Sequence, residues 1–167
     1  MSDVVVRPAR AEELPAVGAL TVAAYLADGY LEGRTEDGYA TKLADAEDRA
    51  AHAELLVAVD PDDTILGSVT VVRSGTKFAE ISRADELEFR MLGVAPEARG
   101  RGIGTVLTAA VVDRARELGL PRVVLSSLDR MTNVHRLYRR LGFERLPERD
   151  WRPAPHVQLV VFGLALS

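Results

Sequence analysis

A glycine-rich loop between a predicted strand and a predicted helix carries the residues best suited to chemistry. In the segment LGVAPEARGRGIG, Leu92 to Gly104, an apolar strand is followed by a proline turn and three glycines. Gly100, Gly102 and Gly104 lack the Cβ atom that would keep an anion from the backbone, so consecutive N–H groups can point into one concavity. These donors lie at a helix start, where backbone N–H groups lack intrahelical partners and the helix dipole favours negative charge. The loop is therefore predicted to bind phosphate, although many glycine-rich turns only reverse the chain.

A second block gives the loop a context. The loop fits the pattern (Q/R)xxGx(G/A), filled by Arg99, Gly102 and Gly104, and the block NVHRLYRRLGF follows at Asn133 to Phe143. Two blocks in this order, separated by a predicted helix and strand, are more specific than either alone. Together they resemble the GNAT family of N-acetyltransferases, and the resemblance covers roughly Leu87 to Phe143.

The resemblance implies acetyl-CoA as a cosubstrate, with no metal. It implies that a strand edge pairs with the pantetheine arm, that loop amides hold the pyrophosphate and that an asparagine orders the pantetheine. The expected cofactor-binding residues are Leu92, Gly93, Val94, Arg99, Gly100, Arg101, Gly102, Ile103, Gly104, Thr105 and Asn133. For Arg101, a solvent-facing side chain is the alternative interpretation.

The resemblance also implies direct attack of an amine on the thioester in a ternary complex. Tyr138 is the expected acid, because a phenol of pKa near ~10 can protonate a leaving thiolate whose thiol has a pKa near ~8.5; packing on the apolar face of its helix is the alternative. Glu88 is expected to accept the amine proton through a water. The alternatives are an ion pair between Glu88 and Arg90, the use of Glu86 as base, or no dedicated base.

Charge is unevenly distributed along a chain whose net charge is −4. Residues 28–54 contain eight acids against three bases, and residues 94–149 contain eleven arginines against six acids. The basic part suits a polyanionic cofactor, and the acidic part can attract a cation. We therefore expect a small cationic amine as acceptor, contacted by Glu32, Glu36 and Asp37. The alternative is that these acids only solvate a helix surface.

Composition is that of a globular enzyme. The 167 residues, 47% hydrophobic and 28% charged, predict a single domain over residues 1–167. No run approaches the ~18 apolar residues of a membrane span, and the N-terminus lacks a signal-peptide pattern, so a cytoplasmic location is expected with no membrane or nucleic-acid partner. The chain has no cysteine, which excludes disulfides and a cysteine thioester. The sequence leaves open whether the protein is a monomer or a homodimer.

Periodicity and turn residues predict the order of the elements. In the first half, the predicted strands are Val4 to Arg7, Leu55 to Val59, Thr64 to Arg73 and Leu87 to Val94, and the predicted helices are Glu12 to about Leu26 and Tyr39 to Ala53. In the second half, helices are predicted at Ile103 to Leu118 and Thr132 to Leu141, and strands at Arg122 to Ser127, Phe143 to Leu146 and Val157 to Leu164.

This order resembles the GNAT fold. The expected class is α/β (α+β), with a mixed, mostly antiparallel central sheet flanked by helices, and the resemblance implies that the fourth and fifth strands splay apart to admit the pantetheine arm. Two other functions stay open at this point. A peptide or protein N-acetyltransferase would need an open groove, and a non-catalytic acyl-CoA sensor would not need Tyr138.

Overall fold

A mixed sheet forms the centre of the protein in a computed structural model that describes residues 3–31 and 38–166. The strands are β1 (Val5–Pro8), β2 (Glu54–Val59), β3 (Ile65–Arg73), β4 (Glu86–Val94), β5 (Arg122–Leu128), β6 (Glu144–Arg145), β7 (Trp151–Ala154) and β8 (Val157–Ala165). The helices are α1 (Leu14–Ala27), α2 (Tyr39–Ala44), α3 (Ala46–His52), α4 (Ile103–Glu117) and α5 (Thr132–Arg140). Within these described ranges, every helix is too short or too polar to cross a membrane.

The strand order is β1-β2-β3-β4-β5-β8-β6, with β7 paired to β8. Neighbouring strands are antiparallel except β4 and β5, which are parallel and pair only from Glu86 opposite Arg122 to Glu88 opposite Val124. Beyond these three pairs the two strands diverge. The expected fold class, with its splay between the fourth and fifth strands, is therefore confirmed.

Helices cover both sides of the sheet. On one side, α4 buries Ile103, Leu107 and Val111 in a cluster with Val69 and Val71 of β3. On the other side, Val17 of α1 packs with Leu55 and Val57 of β2. Because alternate residues of a strand face opposite sides, Ser68 and Thr70 of β3 face α1 to α3. The sheet thus separates two apolar layers.

A β-bulge interrupts β4 beside the splay. Thr70 lies opposite Arg90 and Ser68 opposite Gly93, so two residues of β4 stand against one residue of β3. Met91 has φ of +56°, an uncommon conformation for a residue with a side chain. The bulge therefore lies in the part of β4 that β5 leaves unpaired.

Two elements differ from the sequence prediction. The helix expected from Tyr39 to Ala53 is two helices, because Asp45 accepts a hydrogen bond from the Asp48 N–H (3.0 Å) and caps α3 instead of continuing α2. Strand β7 was not predicted because Pro153 lies within it, and a proline argues against a strand unless that strand is at an edge.

A buried carboxylate fastens the closed end of the splay. Glu86 is 1% exposed and accepts hydrogen bonds from Arg122 Nη1 (3.2 Å), on the neighbouring strand, and from both Nη atoms of Arg149 (2.9 Å each). Burial opposes ionisation of Glu86, but these guanidinium groups and the Arg83 N–H outweigh it and lower its pKa to about 2. Glu86 therefore stays ionised and joins three parts of the chain.

Replacing Glu86 with Gln should destabilise the protein at pH 7 by about 3–5 kcal/mol, because it leaves Arg149 and Arg122 without their carboxylate in a buried site. In the parent, this stabilisation is complete above about pH 4.5 and is lost as the pH falls toward the folded-state pKa of about 2. The difference between parent and variant should therefore shrink across that interval. Urea unfolding at a series of pH values measures it.

Glu54→Gln is the control, since Glu54 pairs with Arg114 at 2.8 Å with both side chains 35% exposed. Such a pair should contribute no more than about 1 kcal/mol. Equal losses in the two variants at pH 7 would contradict the central role of Glu86.

Candidate active site

The splay between β4 and β5 opens into a cavity of about 610 Å³. Its walls come from the end of α1, the open edges of both strands, the glycine-rich loop, the start of α4, α5 and the β7–β8 hairpin. The structure brings most of the expected cofactor-binding residues to this cavity, namely Leu92, Gly93, Val94, Arg99, Gly100, Gly102, Ile103, Gly104, Thr105 and Asn133. Arg101 is exposed and does not line it.

The glycine-rich loop presents open backbone to the cavity. Gly100 and Gly102 have φ of +81° and +73°, and a Cβ atom built on either would meet nothing within 4 Å. Gly102 is the N-cap of α4 and supplies no side-chain cap, and the first hydrogen bond within the helix runs from Val106 N–H to Gly102 (3.1 Å). The N–H groups of the first turn therefore have no acceptor within α4, which suits them to an anion.

Arg99 and Gly104 have structural contacts in addition to their place at the cavity. The Arg99 guanidinium pairs with Asp28 at 2.7 Å and donates to the carbonyl of Ala24 at 3.3 Å, so it ties the loop to the end of α1. A Cβ atom on Gly104 would lie 3.0 Å from Cδ2 of Leu137. Gly104 therefore permits the close approach of α4 and α5.

Tyr138 lines the cavity and packs against aromatic rings at the same time. Its side chain is 4% exposed, and its ring lies edge-on to Phe89 with centroids 5.8 Å apart. Phe143 and Phe162 lie at the same centroid distance from it. Burial, with a smaller effect of Tyr30, raises the pKa of Tyr138, so the phenol keeps its proton at neutral pH. The position is compatible with both packing and proton donation.

Glu88 lies outside the cavity lining and is occupied by hydrogen bonds. It is fully buried, and Oε1 accepts from the N–H groups of Glu80 (3.0 Å), Ile81 (3.3 Å) and Ser82 (3.2 Å) and from the Ser82 hydroxyl (2.9 Å). The carboxylate thereby holds the connection between β3 and β4 against the sheet. This position favours an anchoring role over the expected one as base.

The alternatives to Glu88 are also placed by the structure. Arg90 pairs with Glu80 rather than Glu88, with Arg90 Nε 3.1 Å from the Glu80 carboxylate, and donates to the carbonyl of Phe78 at 3.1 Å. Glu86 is held by Arg122 and Arg149. Neither acid of β4 is therefore presented to the cavity, whereas Glu80 and Arg90 line it.

The acidic stretch is mainly structural where it is described. Asp45 caps α3, Asp48 binds Lys77 Nζ at 2.8 Å and Glu54 binds Arg114. Of the described acids in this stretch, only Asp28 lines the cavity, and it is paired with Arg99. The expected acceptor contacts Glu32, Glu36 and Asp37 lie outside the described residues.

One end of the cavity was not foreseen from the sequence. Tyr25, Tyr30 and Tyr39 line it with ring centroids 6.1 Å apart in the Tyr25–Tyr30 and Tyr25–Tyr39 pairs, and the hairpin contributes Pro153 and Val157. We call this region, with Met91 and Met131, the acceptor end; its lining residues are Tyr25, Tyr30, Tyr39, Lys42, Glu80, Arg90, Met91, Leu128, Met131, Pro153, Ala154, Val157 and Leu159. A tyrosine at helical spacing is also typical of a core position, so the sequence did not mark Tyr25 and Tyr39 as site residues. Tyr30, next to a glycine turn, gave the one sequence signal for this end of the cavity.

The chain is similar in sequence to known acetyltransferases. The sequence model of the family described as "Acetyltransferase (GNAT) family" matches residues 20–143. The "Uncharacterized N-acetyltransferase C1271.07c" of Schizosaccharomyces pombe is 32% identical over 106 residues, which are 64% of this chain and 61% of that protein. "Mycothiol acetyltransferase" of Arthrobacter sp. is 41% identical over 101 residues, which are 60% of this chain but 30% of that protein.

A structural relative shares the fold over nearly the whole chain. YncA of Salmonella typhimurium, solved with its cofactor acetyl-CoA, is 18% identical, covers 99% of this chain and 95% of its own, and superposes with a TM-score of 0.66. The chain therefore spans under two thirds of the two curated relatives above and nearly all of this solved structure.

Gly102→Glu should weaken CoA binding about 100-fold or more, because a carboxylate would occupy the open space before α4 and repel a phosphate by several kcal/mol. Gly75→Glu is the matched control. Gly75 also has positive φ (+78°) and open space around its Cβ position, so it carries the same backbone strain away from the cavity. Calorimetric titration with CoA decides the matter, and parent-like affinity in the Gly102 variant would show that the phosphate site is elsewhere.

Proposed function

The chain belongs to the acetyltransferase (GNAT) family, and on that premise we propose that it transfers an acetyl group from acetyl-CoA to the amine of a small molecule. The observation that carries the proposal is the splay of β4 and β5, where an open strand edge, a helix N-terminus and Tyr138 line one cavity. Acetyl transfer follows from the family. The amine acceptor, its size and the steps below are our proposal.

The residues of the cavity fit acetyl-CoA. The first turn of α4 and the glycine-rich loop would hold the diphosphate through backbone N–H groups. The free edge of β4 from Leu92 to Val94 offers backbone donors and acceptors to the amides of the pantetheine arm, as a neighbouring strand would. Bound acetyl-CoA supplies a thioester whose carbonyl carbon an amine can attack.

The chain's own residues would act by direct transfer in a ternary complex. A cysteine-bound acetyl group is excluded because the sequence has no cysteine. Tyr138 would donate its phenolic proton, or a strong hydrogen bond, to the sulfur as the carbon–sulfur bond breaks. Its raised pKa keeps this proton in place before the reaction, and its aromatic neighbours hold the ring. The acceptor end would bind the remainder of the amine and exclude water.

Tyr138→Phe should lower kcat by roughly 10²–10⁴, because it removes the proton and keeps the ring that packs on Phe89. Acetyl-CoA affinity and the thermal unfolding midpoint should stay close to those of the parent. Steady-state kinetics with free-thiol detection measures the effect. A parent-like kcat in the variant would show that Tyr138 packs against its neighbours but does not act as the acid.

The function itself is tested by following free thiol release from acetyl-CoA across a panel of cationic, neutral and acidic amines, with a mass increase of the amine as proof of transfer. Acetylation of a small amine is the expected result. Transfer only to peptides would favour a protein acetyltransferase, and tight acetyl-CoA binding without turnover on any amine would favour a sensor.

Within this panel we propose that a cationic amine is preferred, through Glu32, Glu36 and Asp37. Neutralising the three acids together should raise KM for such an amine and leave acetyl-CoA affinity unchanged. The preference should weaken with salt, since exposed charges are screened over about 8 Å at physiological ionic strength. Glu47→Gln, in the same acidic stretch but on α3, is the control. A parent enzyme that prefers neutral or acidic amines would contradict the idea.

A further inference from the structure

A buried serine and histidine form a pair beside the cavity that the steps above do not use. Ser127, near the end of β5, lines the cavity, and its Oγ lies 3.1 Å from Nε2 of His135 on α5. Both residues are 6% exposed. A hydroxyl in contact with a neutral imidazole is the arrangement by which serine passes a proton to a base.

The relay needs Nε2 of His135 as its basic atom. His135 also has a hydrogen bond to the backbone of Leu128. In the neutral tautomer that carries its proton on Nδ1, the Nε2 lone pair faces Ser127, and this is the tautomer that the relay uses. The Ser127 hydroxyl can also donate to Met131 Sδ at 3.3 Å, but a thioether is a weak acceptor. The better acceptor for the Ser127 proton is therefore His135.

The charge state of His135 is set by its surroundings. Burial lowers its pKa first, and Arg139 of α5 and Arg145 of β6 lower it further, while the Leu128 hydrogen bond and Asp129 act in the opposite direction. The ring also packs on Phe162, with centroids 5.0 Å apart. Since the pKa falls below the usual 6.5, His135 is neutral at pH 7 and free to take a proton.

Ser127 lies between the proposed acid and the acceptor end. Leu125, two residues earlier on β5, packs in the apolar cluster that contains Tyr138. Leu128 and Met131, just after it, pack in the cluster that contains Tyr25. The hydroxyl thus lies on the cavity wall between the cluster that contains Tyr138 and the cluster that contains Tyr25.

We propose that Ser127 and His135 form a proton relay that removes the proton from the attacking amine; this rests on the function proposed above. As the nitrogen–carbon bond forms, the amine proton passes to Ser127 Oγ and the hydroxyl proton of Ser127 passes to His135 Nε2. The carbon–sulfur bond breaks, and the sulfur receives the proton of Tyr138. The imidazolium then returns its proton to the phenolate through water, so both side chains are restored and the products are the amide and the thiol.

In this relay Ser127 is the catalytic residue, and His135 acts through it as a positioning residue. Ser127→Ala removes the relay. His135→Gln keeps a hydrogen-bonding group near Ser127 that cannot take a proton. Each variant should lower kcat about 100-fold at pH 7, measured with an amine that the parent acetylates, and leave the affinity for acetyl-CoA unchanged.

His52→Gln is the matched control for the histidine change. His52 ends α3, its side chain is 48% exposed, and it lies outside the cavity lining. It should keep kcat within about threefold of the parent, well short of a general acid–base effect. Thermal unfolding of each variant shows whether a loss of rate reflects a loss of fold.

The pH profile separates a relay from a merely structural pair. In the parent, kcat should fall as the pH drops below 6.5 through the pKa of His135, because the imidazolium cannot accept a proton. His135→Gln should be slow but lack this acidic limb. If Ser127 and His135 only stabilise the fold, the fall in kcat at acidic pH should remain in His135→Gln.

The outcomes distinguish the two proposals. If the parent acetylates some amine but Ser127→Ala and His135→Gln, both folded, keep the parent kcat, the relay is wrong and the proposed function stands. If the parent binds acetyl-CoA and acetylates no amine, both proposals are overturned.

Discussion

The site depends on the place where β4 and β5 stop pairing. Parallel strands in register would satisfy each other's backbone groups along their whole length, but here the pairing ends after Glu88 and Val124. From there on, one edge of each strand has no neighbouring strand, and unpaired backbone groups away from water are costly. Such an edge is stable only where solvent or a ligand with amide groups reaches it, so the sheet offers a ligand a row of backbone hydrogen bonds that water otherwise makes.

Buried charged groups hold the splay between β4 and β5 in place. Glu86 and Arg122 are register partners as well as an ion pair, so the contact lies on the first of the three strand pairs, at the closed end of the splay. Glu88, two residues along, holds the β3–β4 connection through three backbone N–H groups. That connection carries Glu80 to the acceptor end. Two acids that sequence reasoning treated as candidate bases therefore shape the cavity from outside it.

The sequence predicted features that rest on local rules and missed those that rest on distant contacts. The extent of α4 rests on local periodicity and was predicted closely, with Ile103 to Leu118 expected and Ile103–Glu117 observed. The roles of Asp48 and Glu54 could not be predicted, because their partners Lys77 and Arg114 are 29 and 60 residues away. Ser127 and His135 are only eight residues apart, yet a strand end, a turn and a helix must all be placed before the two side chains meet.

The bulge at Met91 changes which residues of β4 face each side of the sheet. Up to Arg90, even-numbered residues face α1 to α3, whereas after the extra residue Gly93 takes that side, against Thr21 and Ala24 of α1. Leu92 and Val94 consequently face the α4 layer. Even-numbered residues of β4 therefore face α1 to α3 before the bulge and α4 after it. Without the extra residue, Leu92 would follow Arg90 directly, so a deletion of Met91 would remove the bulge and leave Leu92, Gly93 and Val94 on the sides they occupy now. A regular strand that kept all of these residues would instead turn Leu92 and Val94 toward α1, into the space that Gly93 leaves open there.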